Sequence, residues 1–303
     1  MKRRLYLGHL GTAAGLAGVS GCALSAQVPP PGAAARFVQA VRGIEADARG
    51  RLGVSLLDTH TGLAVSYRGD ERFPLCSTFK WVAAALVLSR VDEGHESLSR
   101  RVVFQAADVV DYSPKTAPRV GGDGMRLDEL CDAAIVVSDN TAGNLLLASF
   151  GGPTALTAYF RSLGDAFSRL DRTEPTLNEA RPSDERDTTT PDAMGATLQR
   201  VLLGTALSSA SRAQITRWLL ANTTGDKRLR AGFPAGWRVA DKTGTGAHGT
   251  NNHVAVVWPP GRAPCVVTAY LTQAVAPAQG GDAAIARVAR AVVNAVLGEV
   301  NPV

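Results

Sequence analysis

Apolar positions change their period twice along this chain. Phe37, Val41 and Ile44 recur at helical spacing within Arg36 to Arg49, which predicts an N-terminal helix. Two β-rich runs follow, Leu52 to Leu57 and Leu63 to Tyr67. Between them lies Asp58-Thr-His-Thr-Gly62, and the combination is a hairpin signal. From Ser77 to about Asn222 the pattern is mostly helical, with runs at Met125 to Val137, Asn140 to Phe150, Pro153 to Leu163, Thr190 to Leu203 and Ser208 to Leu220. Leu170 to Thr190 interrupts it as a long, charged, irregular segment, the kind of loop that usually carries function. Strand-like runs return at Trp237 to Asp241, Asn252 to Trp258 and Cys265 to Leu271. Asp282 to Leu297 closes as a helix with Ile285, Val288, Val292 and Val296 on one face.

Strands at both ends with helices between them predict an α+β fold. It is expected to be a five-stranded antiparallel sheet built from both termini, flanked by terminal helices, with an all-helical domain inserted. The expected sheet domain is residues 36–70 with 222–303. The expected helical domain is 71–221, including the 170–190 loop. A ligand site is expected in the cleft between them.

The first residues follow neither period. Lys2, Arg3 and Arg4 precede a mildly apolar Gly/Ala/Leu/Val run too short for a membrane span, the layout of an export signal over residues 1–21. Arg3-Arg4-Leu5-Tyr6-Leu7 resembles a twin-arginine signal, with Tyr where Phe is usual. Val19-Ser20-Gly21-Cys22 resembles a bacterial lipobox, in which Cys22 becomes lipidated and anchors the protein to a membrane. The other reading is an ordinary cleaved signal with Cys22 incidental. Residues 22–35, with Gln27 to Ala35 rich in Pro, Gly and Ala, read as a tether. The expected location is therefore outside the cytoplasm, in the periplasm.

The 303-residue chain, 45% hydrophobic and 19% charged, has the composition of a globular protein. Removing residues 1–21 deletes three cations and no acid, so the formal charge of +5 drops to +2. No basic run with interleaved aromatics is left, which disfavours nucleic-acid binding. Cys76, Cys131 and Cys265 would then remain, open to one disulfide plus a thiol or to three buried thiols. His60, His95, His248 and His253 are scattered, and no metal site or other cofactor is expected.

Chemistry enters at Cys76 to Leu86, CSTFKWVAAAL. Ser77 and Lys80 form S-x-x-K in an almost wholly apolar helix. At a spacing of three they share a helix face. A desolvated lysine has a lowered pKa and can accept the serine proton. Alone the motif reads more readily as a helix cap and a surface lysine than as catalytic machinery. Ser138-Asp139-Asn140 alone reads as an N-cap, and Lys242-Thr243-Gly244, in an expected strand Val239 to Thr245, alone reads as an edge-strand lysine. The three in this order, on helix, inter-helix loop and strand, are the trio of class A β-lactamases and penicillin-binding proteins.

From about Ala34 to the C-terminus the chain resembles the class A β-lactamases. Tyr112-Ser-Pro114, Leu145-Leu-Leu147, Arg169 to Asn178 (RLDRTEPTLN), Asn222-Thr-Thr-Gly225 leading to Arg228, and Asp241 to Gly246 (DKTGTG) carry the likeness beyond the trio. The resemblance implies β-lactam hydrolysis through a serine acyl-enzyme by a monomer, with penicillins and cephalosporins as substrates. It implies Ser77 as nucleophile, Lys80 as its proton-accepting partner, and backbone N–H groups of Ser77 and Thr245 as the oxyanion hole. Ser138 would protonate the leaving nitrogen, and Asn140 would bind the substrate's side-chain amide. Lys242, Thr243, Thr245 and Arg228 would serve the substrate carboxylate, and Tyr112 would also bind the substrate.

An acyl-enzyme on serine is shared with cell-wall DD-peptidases. Glu174 with Asn178, matching the family's water-binding pair, separates the two by supplying a base for deacylation. The resemblance also implies a cis Glu174–Pro175 bond and an Arg172–Asp187 clamp across the loop. It departs from the carbapenem-hydrolysing members, since the partner position for Cys76 is Gly246. Cys131 likewise faces Ala84 at its family partner position.

Overall fold

The computed structural model describes residues 28–275 and 278–298. The predicted signal, Cys22 and the first part of the tether lie outside the described residues. In chain order the elements are α1 (Ala33–Ala48), β1 (Arg51–Asp58), β2 (Leu63–Tyr67), β3 (Phe73–Pro74), α2 (Phe79–Asp92), β4 (Arg101–Val102), β5 (Met125–Arg126), α3 (Leu127–Val136), α4 (Asn140–Phe150) and α5 (Gly152–Ser162). They continue with β6 (Thr188–Thr189), α6 (Pro191–Leu198), α7 (Ser209–Leu220), α8 (Leu229–Gly232), β7 (Arg238–Gly246), β8 (Thr250–Trp258), β9 (Cys265–Thr272) and α9 (Ala278–Leu297).

Five strands form one antiparallel sheet in the order β2-β1-β9-β8-β7. The fold is therefore α+β with an antiparallel sheet drawn from both ends of the chain, as the pattern predicts. The β1–β2 hairpin closes where Asp58 accepts hydrogen bonds from the His60 amide and the Thr61 hydroxyl, while Gly62 takes φ 77°.

The period of two along β8 and β9 sorts two cores. Ala255, Val257, Val267, Ala269 and Leu271 pack with Ile285, Val288 and Val292 of α9 and with Phe37, Val41 and Ile44 of α1. Val254, Val256, Val266 and Tyr270 face the opposite core, with Phe79, Trp81, Leu130 and Leu146 of the helical part. Both sheet faces are thus covered, and for that reason Val254 to Trp258 of β8 and Cys265 to Leu271 of β9 read as nearly unbroken apolar runs. At Gly53 on β1 a Cβ would stand 2.4 Å from the Phe73 ring, so only glycine lets that ring lie against the strand.

One helix differs from the sequence expectation. Thr190 to Leu203 is not one α-helix. Thr190 caps α6, whose last turn widens into a π-helical turn, Gln199–Leu203, ending at Gly204. Helix α6 also packs on β1 and β9, so residues assigned to the helical part cover one face of the sheet. The K-T-G strand, expected over Val239 to Thr245, runs from Arg238 to Gly246 at the edge of the sheet.

Candidate active site

Ser77 does not open a regular α-helix. It sits in a 3₁₀ turn, Cys76–Thr78, that feeds α2. The cause is β7, against which the turn is pressed. A Cβ on Gly244 would stand 3.0 Å from the Leu75 carbonyl oxygen and 3.2 Å from the Cys76 Cβ. Cys76 itself takes φ 44°, a left-handed conformation that costs a non-glycine residue free energy and is often found beside active sites. Tyr112 and Ser138 share that conformation, with φ 61° and 59°. Tyr112 is exposed at the rim of the cleft.

Lys80 is fully buried. Its Nζ lies 2.9 Å from Glu174 Oε1 and donates to Ser77 Oγ (3.0 Å), the Ser138 carbonyl (2.9 Å) and Asn140 Oδ1 (2.6 Å). Burial lowers its pKa, while the Glu174 carboxylate pulls the other way. Gly143 on α4 makes room for this side chain, because a Cβ there would meet Lys80 Cε at 2.9 Å. The Ser77 hydroxyl donates to Glu174 Oε1 at 3.0 Å. Ser77 is therefore within reach of two basic groups at once.

The S-D-N motif divides its work. Asp139 caps α4 by accepting from the Ala142 amide (2.8 Å). It also takes the Thr116 hydroxyl and the Lys115 and Thr116 amides. Ser138 Oγ lies between two ammonium groups, 2.9 Å from Lys242 Nζ and 3.5 Å from Lys80 Nζ. Lys242, far from being a solvated edge lysine, is fully buried. Burial, and next the charge of Lys80, holds its pKa well below the ordinary lysine value.

Glu174 enters from the long loop, on a cis bond to Pro175 as expected. Two arrangements fix it. Asn144 accepts from the Glu174 amide and donates to its carbonyl, both at 2.9 Å. Arg172 Nε donates to Asp187 Oδ2 at 2.6 Å, and Asp187 Oδ1 takes the Asp171 and Arg172 amides, closing the ends of the loop. Asn178 Nδ2 donates to Glu174 Oε2, and the Asn178 side-chain oxygen is buried without a protein partner.

Arg228 is 8% exposed, not a solvated charge. All five of its N–H groups are engaged: with Asp282 Oδ1, the carbonyls of Gly244 and Asn252, Asn251 Oδ1, and Thr245 Oγ1 at 2.7 Å. It lines the cleft and also holds Thr245 there. Thr243 lines it too, paired with Thr224.

Ser77, Tyr112, Ser138, Asn140, Asn178, Arg228, Thr243 and Thr245 line one cleft of about 420 Å³. Lys80, Glu174 and Lys242 bond to its floor. A surface cavity of about 460 Å³ beside Arg51, Glu71 and Asp184 holds none of these groups. Among the described residues, Cys76, Cys131 and Cys265 are buried free thiols, as the mismatch with Gly246 and Ala84 implies for the first two.

Sequence reasoning missed Asn144, Asn222, Thr224 and His253 as parts of this site. Asn144 left a signal, since it lies one turn beyond Asn140 on the same helix face. The others meet Asp241 and Thr243 only through the fold.

A buried lysine, carboxylate and second lysine converging on two serine hydroxyls define a serine acyl-transfer enzyme of the α+β class. Residues 35–296 match the model of the β-lactamase enzyme family, to which the chain belongs. It is 43% identical to the AER-1 β-lactamase of Aeromonas hydrophila, over 91% of this chain and 92% of that protein. It is 53% identical to the L2 β-lactamase of Stenotrophomonas maltophilia, over 75% of each. Among solved structures, an ancestral class A β-lactamase superposes with a TM-score of 0.84 at 62% identity, covering 86% of this chain and 99% of that one.

Proposed function

We propose that this class A β-lactamase hydrolyses the lactam amide of penicillins and cephalosporins, and so confers resistance to them, with Ser77 as the nucleophile. Ser77 Oγ attacks the lactam carbonyl carbon, and its proton passes into the Lys80–Glu174 pair. The backbone N–H groups of Ser77 and Thr245 stabilise the oxyanion. The C–N bond breaks as the Ser138 hydroxyl, flanked by Lys80 and Lys242, protonates the nitrogen, and Lys80 passes the proton taken from Ser77 on to Ser138, which leaves Glu174 ionised. Lys242, Thr243 and Thr245 bind the substrate carboxylate, with Arg228 holding Thr245, and Asn140 binds the side-chain amide. Glu174 then takes a proton from a water molecule held with Asn178. That water attacks the ester, and Ser77 leaves with its proton restored.

The observation that carries this reading is the Glu174 carboxylate at 3.0 Å from the Ser77 hydroxyl, with an unpartnered Asn178 oxygen beside it. A base in that place favours turnover over the stable acylation of a DD-peptidase. Purified protein should hydrolyse a chromogenic cephalosporin through many cycles per molecule, and Ser77→Ala should abolish this. A burst of one equivalent followed by silence would assign the chain to the DD-peptidases instead.

The two apolar clusters on opposite faces of the sheet support a division into a sheet domain (36–70 with 222–303) and a helical domain (71–221) flanking the cleft; a monomer is what the family resemblance implies. Export by the 1–21 signal and lipidation at Cys22 are supported by the sequence there. Cys22→Ala should move the enzyme from the membrane fraction to the soluble fraction. An unchanged distribution would favour an ordinary cleaved signal.

A further inference from the structure

We infer that His253 is a positioning residue that fixes, from behind the K-T-G strand, the groups that recognise the substrate carboxylate; the inference rests on the carboxylate role given above to Thr243 and Thr245. His253 lies on β8 directly opposite Thr243 and is fully buried. The Leu229 backbone N–H donates to its Nδ1 at 3.2 Å. A backbone amide only donates, so Nδ1 carries no proton and the proton sits on Nε2. Nε2–H donates to Asp241 Oδ2 at 2.7 Å. Burial lowers the histidine's pKa, in keeping with a neutral ring.

From Asp241 a single line of hydrogen bonds runs to the cleft. Asp241 Oδ2 also accepts from Asn222 Nδ2 at 2.5 Å. This sets the orientation of the Asn222 amide, whose oxygen then accepts the Thr224 N–H (3.1 Å) and hydroxyl (2.8 Å). With its proton on Asn222, Thr224 Oγ1 is left to accept from the Thr243 hydroxyl at 2.5 Å. When a carboxylate enters, the Thr243 proton can turn to it. The Thr224 proton then turns to Thr243, and Asn222 keeps the Thr224 N–H, so no buried group is left unpaired.

The second bond of His253 acts on the other arm. Leu229 adjoins Arg228, whose guanidinium holds Thr245 Oγ1. The intervening loop closes tightly over the pair, since a Cβ on Gly225 would stand 2.3 Å from Asp241 Oδ2 and 3.1 Å from His253 Cε1. One imidazole therefore ties together both elements that face the carboxylate.

The test compares kcat and KM for benzylpenicillin and for its methyl ester in the wild type, His253→Leu, His253→Gln and Thr224→Val. The wild type should prefer the free acid. His253→Leu should cut that preference about tenfold through KM, with kcat within about twofold, the scale expected for loss of one or two oriented hydrogen bonds. His253→Gln, which can both donate to Asp241 and accept from Leu229, should restore most of it. Thr224→Val interrupts the same line from the half-buried side and should reproduce the selective loss. It decides the matter if His253→Leu does not fold. Preference retained in the folded His253→Leu variant, or in Thr224→Val where that variant decides, would overturn the inference and leave the carboxylate reading standing. Equal losses on acid and ester would also overturn it, as a general structural effect. No acid preference in the wild type would overturn the carboxylate reading itself.

Discussion

At the scale of single residues, the site depends on two lysines kept out of water. A lone buried ammonium is costly, and each is paid for by several acceptors close to its charge. Lys80 has Glu174, and Lys242 has the Ser138 hydroxyl and the Thr243 carbonyl. Because burial sets the Lys242 pKa below its ordinary value, its charge is lost at a pH lower than for a solvated lysine. Affinity for the anionic substrate should then fall as pH rises through that lowered pKa, giving an alkaline limb in kcat/KM well below pH 10.5. Lys242→Arg, which stays charged, should move the limb upward or remove it, while Lys242→Ala should raise KM at every pH. A pH–rate series on the three proteins checks this, and a limb that stays put in Lys242→Arg would assign it to another group. The S-x-x-K spacing was legible because i and i+3 share a helix face. The company Lys80 keeps was not, since Glu174 and Ser138 approach it from distant parts of the chain.

At the scale of elements, the long loop holds the Glu174 carboxylate in place because both its ends and its middle are tied. The ends close at Arg172–Asp187 and the middle at Asn144–Glu174. Arg172→Ala would leave the buried Asp187 carboxylate with backbone partners alone. It should cost about 3 kcal/mol, the scale for breaking a buried pair from one side. Deacylation should slow more than acylation, because Glu174 sits on the loop and Ser77 does not. Urea unfolding and pre-steady-state kinetics read the two effects separately. The loop announced itself through length, charge and irregularity, and its clamp through resemblance alone. The π-helical turn after α6 left no such mark, since Thr190 to Leu203 keeps its apolar period while the backbone widens. The 3₁₀ turn at Ser77 was equally hidden, because its cause is the close approach of Gly244 from β7.

At the scale of the whole molecule, the sheet pairs the two ends of the chain, Arg51 to Asp58 on β1 against Cys265 to Thr272 on β9. The α+β class was legible because strand-period runs cluster at the ends and helical ones in the middle. Strand order was not, since period-two patterns do not name their neighbours. Terminal helices α1 and α9 cover the sheet face away from the cleft, so their core residues should govern stability without touching chemistry. Ile285→Ala should lower unfolding free energy by about 2–5 kcal/mol, with KM for a penicillin unchanged within about twofold, measured by denaturant titration and steady-state kinetics. The cleft draws Ser77, Ser138 and Glu174 from one part and Lys242 from the other, and the proposed chemistry turns on a Ser77 ester hydrolysed with the help of Glu174. The most direct measurement is intact-protein and peptide mass spectrometry of Glu174→Gln mixed with benzylpenicillin. The expected result is a long-lived adduct of the full penicillin mass on the peptide carrying Ser77. Undiminished turnover with no trapped adduct, or an adduct on another residue, would contradict it.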